Sequence, residues 1–261
     1  ARSRTVLGLG ALFDLALLGL FVGLVPVALG LAALPILRRM GTEGMVFTMA
    51  LTVGLLAFLL VDTLAEGLEL ASEAAGAYQT DVLIWVIAAL TFAALMAAGR
   101  IGARGRPTTG AYLALWMAIG IGLHNFGEGL SIGAALTLGN AALGSLLIVG
   151  FTVHNLTEGI AIAAPLTKRT PSIAVLVGLA ALAGLPAVGG TMIGAFAVLP
   201  HWGAIFFGIA AGAILQVMVE VIRFILSLRG QTSDSLSGGT AFAGFGTGVL
   251  AMYATAFLVQ I

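Results

Sequence analysis

Apolar runs long enough to cross a bilayer follow one another along almost the whole chain, and that repetition leaves few folds open. A spanning helix needs about 20 predominantly apolar residues. Runs of that kind occupy roughly 9–37, 44–72, 81–103, 111–139, 141–166, 172–198, 202–228 and 239–261. The breaks between them are short: Arg38-Arg39-Met40-Gly41, Ala74 to Thr80, Arg104-Gly105-Arg106-Pro107, Gly139-Asn140, Lys168-Arg169-Thr170-Pro171, Pro200, and Gly230 to Ser237. None can house a second domain, so residues 1–261 are expected to form one transmembrane domain. Mean hydropathy is +1.14 and only 8% of residues are charged, against about 25% in soluble domains. The expectation is an all-α polytopic membrane protein with eight transmembrane helices.

The charges fall on one side of that ladder. The breaks after spans 1, 3, 5 and 7 carry Arg38, Arg39, Arg100, Arg104, Arg106, Lys168, Arg169 and Arg229. The breaks after spans 2, 4 and 6 carry no basic residue, and only Arg2 and Arg4 oppose the pattern. Cytoplasmic loops collect Lys and Arg, so a multi-pass protein of the cell membrane with both termini outside the cytoplasm is expected. A cleavable signal peptide is not, because the first apolar run is too long and lacks a clear cleavage site. With 11 basic and 11 acidic residues the net charge is zero, and nucleic acid is not an expected partner. The absence of Cys removes thiolate ligands and a cysteine nucleophile, leaving nitrogen and oxygen chemistry.

Two copies of one polar phrase interrupt the apolar sequence thirty residues apart: His124-Asn125-Phe126-Gly127-Glu128-Gly129 and His154-Asn155-Leu156-Thr157-Glu158-Gly159. On a helix, His and Glu four residues apart share one face. Each His falls about thirteen residues into its span, near mid-membrane at 1.5 Å per residue. Ionisable groups at that depth are costly and mark function, and imidazole with carboxylate suits a divalent cation. Gly127, Gly129 and Gly159 beside these residues are candidates to admit a kink or turn a carbonyl toward an ion.

Two other spans carry a looser version of the pattern, Asp62-x3-Glu66 in span 2 and Gln216-x3-Glu220 in span 7. Spans 4 and 5 run in opposite directions, as do spans 2 and 7, so an inverted repeat is expected with spans 1–3 and 6–8 related and the site at its centre. Asp62, Glu66, Glu69 and Glu73 form a stripe leading outward, joined on that side by Asp14 and Asp81, and Glu220 lies on the inner side. Such charge would concentrate cations at the mouth. His201 is expected to be an interfacial residue beside Trp202.

At these residues the chain resembles the ZIP (Zrt/Irt-like protein) family of divalent metal transporters. The resemblance rests on the twin His-Asn-x-x-Glu-Gly signatures, Asp62-Thr63-Leu64-Ala65-Glu66, and Ala211-Gly212-Ala213 leading to Glu220. It implies eight core spans with both ends outside and a transport site of His124, Asn125, Glu128, His154, Asn155 and Glu158. Asp62 and Glu66 would line the outer path; Gln216 and Glu220 accompany the inner one. The chain departs from the family in having Gly127 and Thr157 where proline usually precedes Glu. The stretch Ala183 to Gly190 lacks the glutamate often found on helix 6, so one metal rather than two is expected. The loop after span 3 is short, basic and without His.

The functional expectation is therefore transport, not enzymatic catalysis: Zn2+ foremost, with Fe2+, Mn2+ or Cd2+ at the same site, moved toward the cytoplasm by alternating access. Partners are the metal ion and the bilayer, and small-residue helix faces permit a homodimer. Two rivals are a haem-binding electron carrier with His124 and His154 as axial ligands and a membrane metalloenzyme. The Glu one turn from each His argues against haem, and no His-Glu-x-x-His motif supports an enzyme. Retinal binding is disfavoured because the only lysine, Lys168, lies in a loop.

Overall fold

The structure, a computed structural model, describes residues 9–73, 80–103, 109–137, 141–196, 200–229 and 238–259. Among them every regular element is helical: α1 (Leu9–Gly19), a π-helical segment (Leu20–Leu24), α2 (Val25–Ala32), α3 (Leu34–Leu37), α4 (Thr42–Glu73), α5 (Thr80–Gly102), α6 (Gly110–Thr137), α7 (Ala141–Ala163), a 3₁₀ turn (Ala164–Leu166), α8 (Ile173–Gly194), α9 (Pro200–Arg229) and α10 (Gly238–Val259). Arg2, Arg4, Arg104, Arg106, Gly139-Asn140 and the Gly230–Ser237 break lie outside the described residues.

Among the described residues six helical stretches are long and apolar enough to cross a membrane: Gly10–Leu37, Thr42–Ser72, Asp81–Gly102, Ile173–Gly194, His201–Leu228 and Gly238–Phe257. The chain is thus a helical protein with membrane-spanning character. Eight such helices were expected from sequence; among the described residues α6 and α7 are not in the six, and in α6 the motif's His, Asn and Glu interrupt the apolar run. The surface is inverted relative to a soluble domain. Phe13, Leu90, Phe242, Leu250 and Phe257 are exposed, whereas His124, Asn125, Glu128, His154, Asn155, Glu158 and Gln216 are buried.

The first apolar run is a broken helix. Pro26 lies in the first turn of α2, immediately after the π-helical segment, where its missing N–H and ring would disrupt a continuous α-helix. The run continues through α2 and packs on α7, while α6 packs chiefly on α8. On the other side α4 contacts α10 and α9, and α5 contacts α9. α6 touches both α7 and α9, so the two helices with the polar phrase lie inside the bundle.

Close approach on both flanks of the site depends on glycine. A Cβ at Gly159 would stand 2.9 Å from the Gly30 Cα and nearer still to the Val27 carbonyl oxygen. A Cβ at Gly129 would stand 3.0 Å from the Gly190 Cα and nearer to the Ala187 carbonyl. Small residues of this kind let membrane helices pack backbone to backbone. Gly129 and Gly159 therefore serve helix contact in this structure. Gly127 differs, since it lines the pocket beside the site.

Candidate metal centre

α6 and α7 each place a His one turn before a Glu, and the α6–α7 contact brings the two pairs together. His124 Nε2 lies 3.0 Å from Glu128 Oε1 and 3.3 Å from Glu158 Oε1. His154 Nε2 lies 2.6 Å from the same Glu128 oxygen. The imidazole centroids are 5.8 Å apart, and all four residues are at most 6% exposed. His124, Glu128 and His154 can hold a metal ion, with ligand atoms all within 4.8 Å of one another. Glu158 joins through His124.

The donor set fits a small divalent cation. Four ligand atoms bound at about 2.0–2.2 Å to tetrahedral zinc stand roughly 3.3 Å apart. Two of the three nitrogen–oxygen separations are close to that, and the 2.6 Å contact would have to lengthen by about 0.7 Å. Although near in distance, these nitrogens and carboxylate oxygens form no hydrogen bonds to one another or elsewhere. The atoms converge on one place without the alignment of donor and acceptor. Buried polar atoms are seldom left so, and a shared cation would satisfy them.

The asparagines face different work. Asn125 Nδ2 donates to the Ala183 carbonyl at 3.0 Å, and Asn155 Nδ2 donates to the Val22 carbonyl at 3.0 Å. Each acceptor lies shortly before a proline, Pro186 in α8 or Pro26 in α2. Pro26 is four residues after Val22 and has no N–H to offer its carbonyl, so the Asn155 amide supplies a donor there. Both asparagine Oδ1 atoms are buried without a hydrogen-bond partner.

A narrow pocket leads to the cluster. It is lined by Asp62, Thr63 and Glu66 of α4, by His124, Glu128 and Ser131 of α6, and by apolar residues including Phe151 and Phe207. Asp62 is exposed and Glu66 half-buried, so the acids anticipated on the approach do share a cavity with two of the ligands. Glu69 is exposed one turn further along α4. Gln216 does not line this pocket. Its Oε1 is buried without a partner and lies against Gly120, one turn before His124. Glu220, 18% exposed at its side chain, pairs with Arg223 at 3.2 Å. His201 sits beside Trp202 with ring centroids 5.6 Å apart.

Sequence reasoning missed several neighbours. Ser131 follows Glu128 by three residues and His124 by seven, a helical spacing that places it on the ligand face. Phe151 stands edge-on to the His154 ring at 5.4 Å, and its position three residues before His154 was the available signal. Nothing local to Pro26 or Pro186 announced that nearby carbonyls would be bonded by the motif asparagines. Their role depends on helices distant in sequence.

Fold and site together define a helical membrane protein with a buried His/Glu cluster able to hold a metal ion. No protein-family model and no curated protein matches the chain.

Proposed function

We propose that this protein transports a first-row divalent cation across the membrane, zinc foremost, with iron, manganese or cadmium using the same site. The single observation that carries this reading is the convergence of His124, Glu128, His154 and Glu158 inside a bundle of membrane-crossing helices. The pocket running from Asp62 and Glu66 to that cluster gives the ion an approach. Gln216 and Glu220 lie along α9, which packs on α6, and mark an exit on the other side. The resemblance to the ZIP family, drawn from the twin signatures, supports the same assignment and with it passage toward the cytoplasm by alternating access.

On this reading α6 and α7 also cross the membrane, making eight spans in the cell membrane with both termini outside. The inverted repeat draws support from a matched arrangement on the two flanks. Pro26 and Gly30 on α2 stand in the same spacing as Pro186 and Gly190 on α8. Gly30 meets Gly159 of α7 just as Gly190 meets Gly129 of α6. Asn155 and Asn125 bond the turns before those prolines in the same sense.

Haem is less well supported. One Glu128 oxygen approaches both imidazole Nε2 atoms, where a porphyrin between axial ligands would need the space. The test is cation uptake by proteoliposomes bearing the wild-type chain or the His124→Ala/Glu158→Ala double variant. Uptake of zinc by the wild type and its loss in the variant are expected. Equal uptake by both would remove the proposal.

A further inference from the structure

The basic end of the bundle contains a second built feature, distant from the His/Glu cluster. There the C-terminal end of α3, the start of α6 and the α7–α8 connection meet; the Pro165 carbonyl lies directly against Gly110. A cleft at this junction is lined by Arg38, Lys168 and Arg169, by Thr167 and Thr170, and by Val175. Among its described lining residues there is no carboxylate. The Arg38 guanidinium donates to the Arg169 backbone carbonyl. That acceptor is neutral, so it fixes the geometry and leaves the positive charge in place.

The Arg38 and Arg169 guanidiniums in one concavity repel one another, and an anion between them reverses the sign of that interaction. The threonines add hydroxyl donors suited to phosphate oxygens. What surrounds the cleft selects among phosphate-bearing ligands. Ile173 on α8 is 79% exposed and Ile36 on α3 is 67% exposed, with Val177 one turn beyond Ile173. The charged cleft thus opens beside apolar side chains that face the hydrocarbon of a membrane. A soluble phosphate would use only the first feature, whereas a lipid uses both. Basic pockets between membrane helices are known to take anionic head groups.

We propose that this cleft binds the phosphate headgroup of an anionic phospholipid whose acyl chains lie along the exposed apolar side chains of α3 and α8. The site stands apart from the cation cluster and does not rest on the transport reading.

The test uses the full chain in neutral detergent, titrated with short-chain phosphatidylglycerol, phosphatidylcholine or inorganic phosphate, with binding read by native mass spectrometry. Saturable retention of phosphatidylglycerol over phosphatidylcholine is expected. Arg38→Gln/Arg169→Gln is expected to weaken it by about tenfold or more, given roughly 1 kcal/mol for each surface cation near an anionic lipid. Arg39→Gln/Arg100→Gln removes equal charge outside the cleft and is expected to leave binding unchanged. An equal loss in both double variants, equal retention of the two lipids, or displacement by inorganic phosphate at matched concentration would each overturn the proposal. Melting temperature checks the fold of each variant, and Lys168→Gln, an exposed position, replaces any variant that fails to fold.

Discussion

His154 Nε2 lies 2.6 Å from Glu128 Oε1 across the α6–α7 contact, while His124 reaches the same oxygen at 3.0 Å from one turn away. Glu128 therefore belongs to both copies of the polar phrase, and Glu158 contacts His124 alone among the ligand nitrogens. The two glutamates are equivalent in sequence but not in the site. Glu128→Gln is expected to cut zinc affinity by about a hundredfold or more, at or above the cost of losing an outer-shell partner. Glu158→Gln should cost less. Isothermal titration of the purified variants orders them, and an equal or reversed order would contradict this asymmetry.

Metal loading should weaken as pH falls. Imidazole and carboxylate bind a cation only when deprotonated, so protons compete directly with the metal. Two imidazoles and two carboxylates take part, so zinc affinity is expected to fall steadily as the pH is lowered. His124→Ala removes one competing proton and should flatten the dependence. Equilibrium dialysis across a pH series measures both slopes.

Asp62 and Glu66 line the approach and are not among the close ligand contacts. Asp62→Asn is accordingly expected to slow zinc uptake most at low zinc and low salt, where a charged mouth raises local cation concentration. Maximal uptake at saturating zinc should be retained. Uptake kinetics at two ionic strengths separate these effects, and a loss that persists at saturation would make Asp62 a ligand.

The flanking glycines carry a stability prediction. Gly159→Ala pushes a methyl group into the backbone of α2 at Val27 and Gly30, and overpacking of this kind costs roughly 1–3 kcal/mol. Gly150→Ala lies on the same helix with nothing within 4 Å of its Cβ, and should be neutral or mildly stabilising because Ala is the better helix former. Thermal unfolding in detergent compares the pair. A Gly159→Ala protein as stable as wild type would mean that α2 and α7 approach less closely.

Much of this was legible in the residues themselves. Apolar length marked the helices, and the His-x3-Glu spacing put ligands on one face because helical periodicity is local. The same spacing foretold that Asp62 and Glu66 would follow one face of α4 toward the cluster. What the chain concealed was long-range. Asn155 bonding to Val22, Asn125 to Ala183, and Gly129 and Gly159 as contact points all arise from packing between helices far apart in sequence. The break at Leu20–Leu24 was hidden for a related reason: Pro26 warns of disruption, but the π-helical outcome depends on what α7 and α8 allow.

The central claim is that one cation is held jointly by both copies of the phrase. X-ray absorption at the zinc edge, on protein loaded with zinc and freed of excess, tests it directly. The expected result is one zinc per chain in a nitrogen and oxygen shell at about 2.0–2.2 Å, with two imidazole contributions that drop to one in His154→Ala. A shell without imidazole, or one unchanged by that substitution, would contradict the account.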